Sequence, residues 1–426
     1  YLTGGLALAR QTGAAYHVNA ADPVAFDRTP VADGDIVMIG EAMRIRVIAT
    51  PGHTFTHLSY VLEAAADGTV AAVFTGGSLL YGSTGRPDLL GAAHKATLAA
   101  AQHASARRLA TELPDATPVM PTHGFGSFCS ATQSEGSAST IGHEKHVNPA
   151  LTLDEERYVA ELLAGLDAYP AYYAHMGPAN AAGPEAPDLS PPRRADSGEV
   201  AARIAAGEWV VDLRDRRAFA AGHVTGSLSF EHSGNFTNYL GWLIPWGAPL
   251  TLLGDTPGQV AQAQRDLVRI GIDKLAAAAT GTPQDWADGR PLASFQVADF
   301  ADLAAVRHHR PVTVLDVRRA LEWAEGHIEG ALHIPIQDLA DRVHGLPRAE
   351  IWVHCRSGYR AFVAASMLEM AGYTVVAIDD EYGRAREKGL PIVTGSPAGG
   401  TPPNGGPATA TPAATPTAGP ATGVRA

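Results

Sequence analysis

Over residues 1–150 the chain alternates short apolar runs with turn residues. "AAYHVNA", "IVMIG", "MRIRVIAT", "LSYVLEA", "VAAVFTGG" and "TPVMPTHG" have the length and β-branched content of strands, and Gly, Pro, Asn or Asp punctuates them. "AAHKATLAAAQHASARRLATEL", between the last two, has the spacing of a helix. Strands with an interspersed helix predict an α/β sheet. Residues 153–176 predict further helix, and the Pro/Ala-rich run 177–194 reads as a linker.

The second half repeats itself. "WVVDLRDRRAFAAGHVTGSLSF" (209–230) resembles "VTVLDVRRALEWAEGHIEGALHIP" (312–335). Asp212 and His223 are eleven apart, as are Asp316 and His327. Each copy offers an apolar strand, a helix bearing alanine, then Gly-His. This predicts two α/β domains of one kind, 195–290 and 295–394. Residues 395–426 hold almost no large apolar side chains, cannot offset their ordering entropy by burial, and are expected to be a disordered tail.

Composition narrows the function. A length of 426 residues fits two or three domains of about 100–200 residues each. A net charge of −12 without a long basic run argues against nucleic acid and anionic membranes as partners. The most apolar stretch, "YLGWLIPWGAPLTLLG" (239–254), is short and contains Pro245 and Pro249, so no membrane span is expected. Two cysteines make no disulfide framework and no signal peptide is visible, which fits a cytoplasmic protein. The sequence opens at Tyr1 inside an alanine-rich helical pattern, so its start is expected upstream. A homo-oligomer is compatible with all of this.

One cysteine stands out in "IWVHCRSGYRA" (351–361), where a strand ends in Cys355 and a helix follows. A thiol reacts as its thiolate, which a helix N-terminus and neighbouring arginines favour. The N–H groups of Arg356 to Arg360 would curl around an anion, and Ser357 and Gly358 are small enough to allow it. These segments resemble the rhodanese family of sulfurtransferases over residues 295–394. The resemblance implies that Cys355 carries sulfane sulfur as a persulfide, in a catalytic loop of Cys355, Arg356, Ser357, Gly358, Tyr359 and Arg360. That six-residue loop is one shorter than the loop of related phosphatases and suits sulfur over phosphate. The first copy has "LTLLGDTPG" there, with Gly254 or Asp255 at the cysteine position. It is expected to fold alone, to transfer no sulfur and to serve as a spacer or docking surface.

Two histidines mark residues 1–176. His53 lies in "TPGHTFTHLSYVL" and His123 in "VMPTHGFGSFCS", both at strand ends beside glycines, where α/β proteins place metal ligands. With "VFTGGSLLYGSTGRPDLLG" between them they resemble the metallo-β-lactamase fold, an αββα sandwich, in its glyoxalase II and persulfide dioxygenase branch. The resemblance makes His53 and His123 metal ligands, for Fe(II) or alternatively Zn(II). The branch's His-x-His-x-Asp-His motif would lie upstream of Tyr1. Its aspartate ligand falls at Gly77, with Ser78 and Asp88 as the nearest substitutes, so the site is incomplete in this sequence. Cys129 reads as a core residue or as a thiol at the mouth of that site. His143, Glu144 and His146 read as a solvated connection.

The order resembles bacterial persulfide dioxygenase–rhodanese fusions. That implies oxidation of a low-molecular-weight thiol persulfide at iron, coupled to sulfur transfer through Cys355 with thiosulfate or sulfite. Two alternatives remain open: a glyoxalase II-like hydroxyacylglutathione hydrolase with an accessory rhodanese, and a degenerate metal domain that scaffolds the rhodanese.

Overall fold

The computed structural model describes residues 1–122 and 137–395. His123, Cys129 and residues 396–426 lie outside the described residues.

Five of the six predicted strands of the first part join in one six-stranded sheet, whose last member, Ser139–Thr140, lies in a stretch read as a solvated connection. The sheet order is Ile36–Ile39, Met43–Ala49, Leu58–Ala64, Val70–Gly76, Pro118–Pro121, Ser139–Thr140. All pairs are antiparallel except Val70–Gly76 with Pro118–Pro121. Period-two alternation sorts the faces. Ile48, Val61, Val73 and Val119 pack against Ala99, Ala106 and Leu109 of the helix Lys95–Glu112, and against Tyr158 and Leu162. Val47 and Leu58 point the other way and meet Val31 of a two-stranded parallel ribbon, His17–Asn19 with Thr29–Val31. Glu144 departs from the solvated reading. It is fully buried and accepts hydrogen bonds from Gly82 N, Asn148 Nδ2 and Ser139 Oγ.

The stretch read as a linker is partly helical. After the helix Glu155–Ala164 the chain turns, and a second helix, Tyr173–Ala182, runs into it. Tyr172 and Met176 explain this, because they are buried in the core of the following copy with Phe236, Leu240 and Ile270.

Both repeats form parallel sheets. The first is ordered Leu228–Ser229, Trp209–Asp212, Leu250–Gly254, Ala277–Thr280. The second is ordered Gln296–Ala298, Val375–Ile378, Ile351–His354, Thr313–Asp316, Leu332–His333. The repeated residues do the same work in each. Arg214 clasps Asp212 and donates to Gly222 O; Arg318 clasps Asp316 and donates to Gly326 O. His223 stacks on Phe219 at 3.8 Å, and His327 on Trp323 at 3.6 Å. Each His Nδ1 bonds the carbonyl of the ring residue it stacks on.

The copies share one core. The helix Tyr359–Met370 is buried at every position from Tyr359 to Ser366, because it packs on its own sheet and on the first copy. Ser229 N donates to Ser366 Oγ at 3.1 Å, and His223 Nε2 meets Glu369 at 2.6 Å. Val211, Leu213 and Phe230 of the first copy lie in the same apolar cluster as Phe362 and Ala365 of the second. Among the described residues no helix is long and apolar enough to cross a membrane.

This shared core bears on the expectation that the first copy folds alone, because part of its apolar face is covered by the second copy. Residues 195–290 expressed separately should lose the cooperative urea transition that residues 195–395 retain, since the apolar face under Phe362 would open to water. Matching midpoints for the two fragments would show that the shared core adds nothing.

Candidate active site at Cys355

Cys355 sits at the C-terminal end of the central strand Ile351–His354, where parallel sheets place ligands. It is 2% exposed. The helix that follows makes its first backbone bond from Phe362 N to Gly358 O, and no side chain caps it. The N–H groups of its first turn therefore have no partner within the helix, and they carry the positive end of its dipole. Gly358 has φ +93°, and a Cβ there would fall 2.3 Å from Asp379 Oδ1. Only glycine fits. Asp379 is held by Arg216 and Arg217 of the first copy.

The two loop arginines differ. Arg356 is exposed. Arg360 is buried and forms a bidentate pair with Glu322, Nη1 to Oε2 at 2.6 Å and Nη2 to Oε1 at 2.9 Å. The Arg360 charge is thus balanced by a carboxylate rather than held for the thiolate alone. Burial opposes the Glu322 charge, but the Arg360 hydrogen bonds and the charges of Arg360 and Arg319 outweigh it and bring its pKa down to about 2. Ser357 is exposed. Tyr359 is buried and faces the first copy, its ring 5.6 Å from Tyr239. Tyr239 also lies under the Arg360 guanidinium at 5.9 Å. The copy without a cysteine therefore forms part of the wall beside the loop. His354 is fully buried and stacks on Tyr382 at 5.6 Å, and desolvation lowers its pKa so that it stays neutral beside Asp316.

In the first copy this site is closed. Asp212 pairs in register with Leu253 as Asp316 does with His354, so Gly254 occupies the cysteine position. Its helix starts at Pro257, and Gln259 folds back, accepting from Asp255 N and donating to Leu213 O. A side chain on Gly254 would meet Gln259 Oε1 at 3.0 Å.

The metal expectation meets a different geometry. The His53 ring lies in a slot between two glycines. A Cβ on Gly77 would fall 2.4 Å from His53 Cδ2, and one on Gly85 2.8 Å from Nδ1. Nδ1 is 3.2 Å from Arg86 O, and desolvation lowers the pKa of the ring. Gly77 therefore faces His53, as the aspartate position should, but has no room for a carboxylate. Asp88 is taken by Arg86 at 2.7 Å, and Ser78 is buried beneath the turn. His57 receives the Gly77 N–H on Nε2 at 3.2 Å, and its Nδ1 pairs with Thr50 Oγ1. Among the described residues no group of three His, Cys, Asp or Glu could hold a metal. His123, the other expected ligand, lies outside the described residues.

Sequence reasoning missed Glu322, Arg319 and Tyr239. A signal for Glu322 was present, since the copy with the cysteine has Glu322 where the other has Ala218. Tyr239 reaches the loop only through packing between the copies.

A family model of the rhodanese-like domain matches residues 299–382. An HTH-type transcriptional regulator of Mycobacterium tuberculosis is 38% identical over 102 residues, which cover 23% of this chain and 45% of that protein. A sulfurtransferase of Allochromatium vinosum is 33% identical over 63 residues, 15% of this chain and 59% of that protein. The chain spans less than two thirds of the length of these curated relatives. Among solved structures, a metallo-β-lactamase from Staphylococcus aureus is 25% identical at a TM-score of 0.59, covering 66% of this chain and 82% of that one. Fold and matches together define a fusion of a metallo-β-lactamase fold with rhodanese-like modules. The part that carries Cys355 is a rhodanese-like domain.

Two outcomes follow from this geometry. The Glu322 pKa is lower folded than unfolded, so the stability it contributes is complete above pH 4.5 and is lost as pH falls toward 2; the shift corresponds to about 3 kcal/mol. Glu322→Gln should cost about 3 kcal/mol at pH 7 by stranding Arg360, and its deficit should shrink below pH 4.5. Urea unfolding at both pH values checks this, and a pH-independent deficit would contradict it. Gly77→Ala should destabilise the first domain by about 1–3 kcal/mol, because the methyl group overpacks the His53 slot. An unchanged midpoint would show that the ring swings away freely.

Proposed function

We propose that this chain is a sulfurtransferase that carries sulfane sulfur on Cys355. The observation that supports it most is the buried thiol set at an uncapped helix N-terminus, with glycine obligatory at position 358. The Cys355 thiolate attacks the outer sulfur of a thiol persulfide or thiosulfate. The donor S–S bond breaks, its electron pair leaves on the thiolate or sulfite, and Cys355 becomes a persulfide. An acceptor thiolate, sulfite or cyanide then attacks the outer sulfur, and the Cys355 thiolate departs. The first-turn N–H groups stabilise the persulfide anion as they would any anion at a helix start. Arg360, fixed by Glu322, closes the end of the loop.

The first domain has two readings. The resemblance to persulfide dioxygenase fusions would make its product, sulfite, an acceptor for the Cys355 persulfide sulfur. Among the described residues no group of three His, Cys, Asp or Glu could hold a metal, and His123 lies outside them. The glycine slot around His53 favours the other reading, a scaffold that presents the rhodanese. Metal content after dialysis, with oxygen uptake on glutathione persulfide, separates them.

Cys355→Ser should abolish thiosulfate:cyanide transfer, measured as thiocyanate, and should remove the one-sulfur mass gain from its peptide. Transfer that survives the substitution would place the chemistry elsewhere, on Cys129 or outside the chain.

A further inference from the structure

The turn between the helices Glu155–Ala164 and Tyr173–Ala182 brings Asp167 toward the sulfur-carrying loop. Its carbonyl accepts from Arg86 Nη2 at 2.7 Å, and Asp88 clasps that arginine. Its Oδ1 accepts from Ala168 N at 2.8 Å. Its Oδ2 is buried without a hydrogen bond, and Arg319 Nε lies 3.8 Å away. Arg319 also donates to Glu322 Oε2, from Nε at 3.2 Å and from its backbone N at 3.0 Å. That same Oε2 receives Arg360 Nη1 at 2.6 Å. Asp88 and Arg86 thus reach Asp167 through its backbone carbonyl, and from its carboxylate the charges alternate through Arg319, Glu322 and Arg360. This line of contacts starts beside His53, whose Nδ1 contacts Arg86 O, and ends on the last residue of the Cys355 loop.

The crowded atom is Glu322 Oε2, shared by Arg319 and Arg360. If Arg319 turned fully toward it, it would compete with Arg360 for the same oxygen. Asp167 draws Arg319 the other way. The gap matters: at 3.8 Å, with Oδ2 unbonded, Asp167 divides Arg319 between two carboxylates and does not capture it.

We propose that Asp167, supplied from outside the rhodanese-like domain, is a positioning residue for the Cys355 loop, dividing Arg319 so that Glu322 stays with Arg360. This rests on the sulfurtransferase reading for its consequence, though its geometry can be tested without it.

The test uses the full chain. Alkylation of Cys355 by iodoacetamide, followed on its own peptide by mass spectrometry, reports the loop without any sulfur transfer. The kcat and KM of thiosulfate:cyanide transfer report the reaction. Asp167→Asn should change the Cys355 alkylation rate and kcat by about threefold or more, with the unfolding midpoint held. Asp167→Glu, which keeps the charge, should recover most of the loss. In an Arg319→Gln background the Asp167→Asn effect should vanish, because Asp167 acts only through Arg319. Wild-type rates in Asp167→Asn, no recovery in Asp167→Glu, or an effect that persists without Arg319 would each overturn the proposal. Should Asp167→Asn fail to fold, Asp167→Ala takes its place: a shifted alkylation rate that disappears in the Arg319→Gln background supports the proposal, and an unchanged rate ends it. An alkylation effect of the expected kind, in a chain that transfers no sulfur, would sink the sulfurtransferase reading and leave this one standing.

Discussion

The burial of one helix on two sides organises the molecule. Tyr359–Met370 begins at the cysteine loop, lies against its own parallel sheet and presents its other face to the first copy. A helix buried all round must be apolar all round, and "YRAFVAASMLEM" is nearly so. Its longer polar side chains find partners, while the Tyr359 hydroxyl is buried without one. Arg360 meets Glu322, Ser366 meets Ser229 N and Glu369 meets His223. The helix cannot shift without exposing apolar surface in two domains, so the loop at its start is held by both. Rigid support of this kind is what a site built from backbone amides requires, because amides stabilise an anion only when already aimed.

The strands and the repeat were legible because they depend on local periodicity. Every apolar run of the first part became a strand, and the eleven-residue Asp–His spacing was explained by the paired Asp–Arg clasps and ring–His stacks. Long-range closure was not legible. Residues 173–182 read as partly linker because Pro and Ala dominate there, yet Met176 has a core to enter that only the folded first copy supplies. Tyr239 sits in a stretch that scans as merely apolar, and its place under Arg360 follows from the packing of two copies.

The two arginines of the loop show the same limit at the level of charge. Sequence proximity suggested that both would favour the thiolate. The fold gives Arg360 a carboxylate partner and leaves Arg356 in solvent, so neither arginine is held for the thiol alone. At His53 the sequence pattern pointed to a ligand, and the resemblance put the aspartate position at Gly77, which faces the ring. What it could not show was that the missing side chain had become a packing surface. Glycines 77 and 85 now hold the ring on both sides, so the slot is shaped for imidazole and excludes a carboxylate.

A comparison of the copies separates what the fold needs from what the chemistry needs. The Asp–Arg clasp and the ring–His stack occur in both, with and without a thiol, so they belong to the fold. Three features occur only with the thiol: the four-residue step from Cys355 to the helix start, the carboxylate at 322, and the arginine it holds. In the first copy the step is three residues, Ala218 replaces Glu322, and Gln259 fills the space with bonds to Asp255 N and Leu213 O. Gln259 occupies in the first copy the place beside the strand end that the second copy leaves to its cysteine loop.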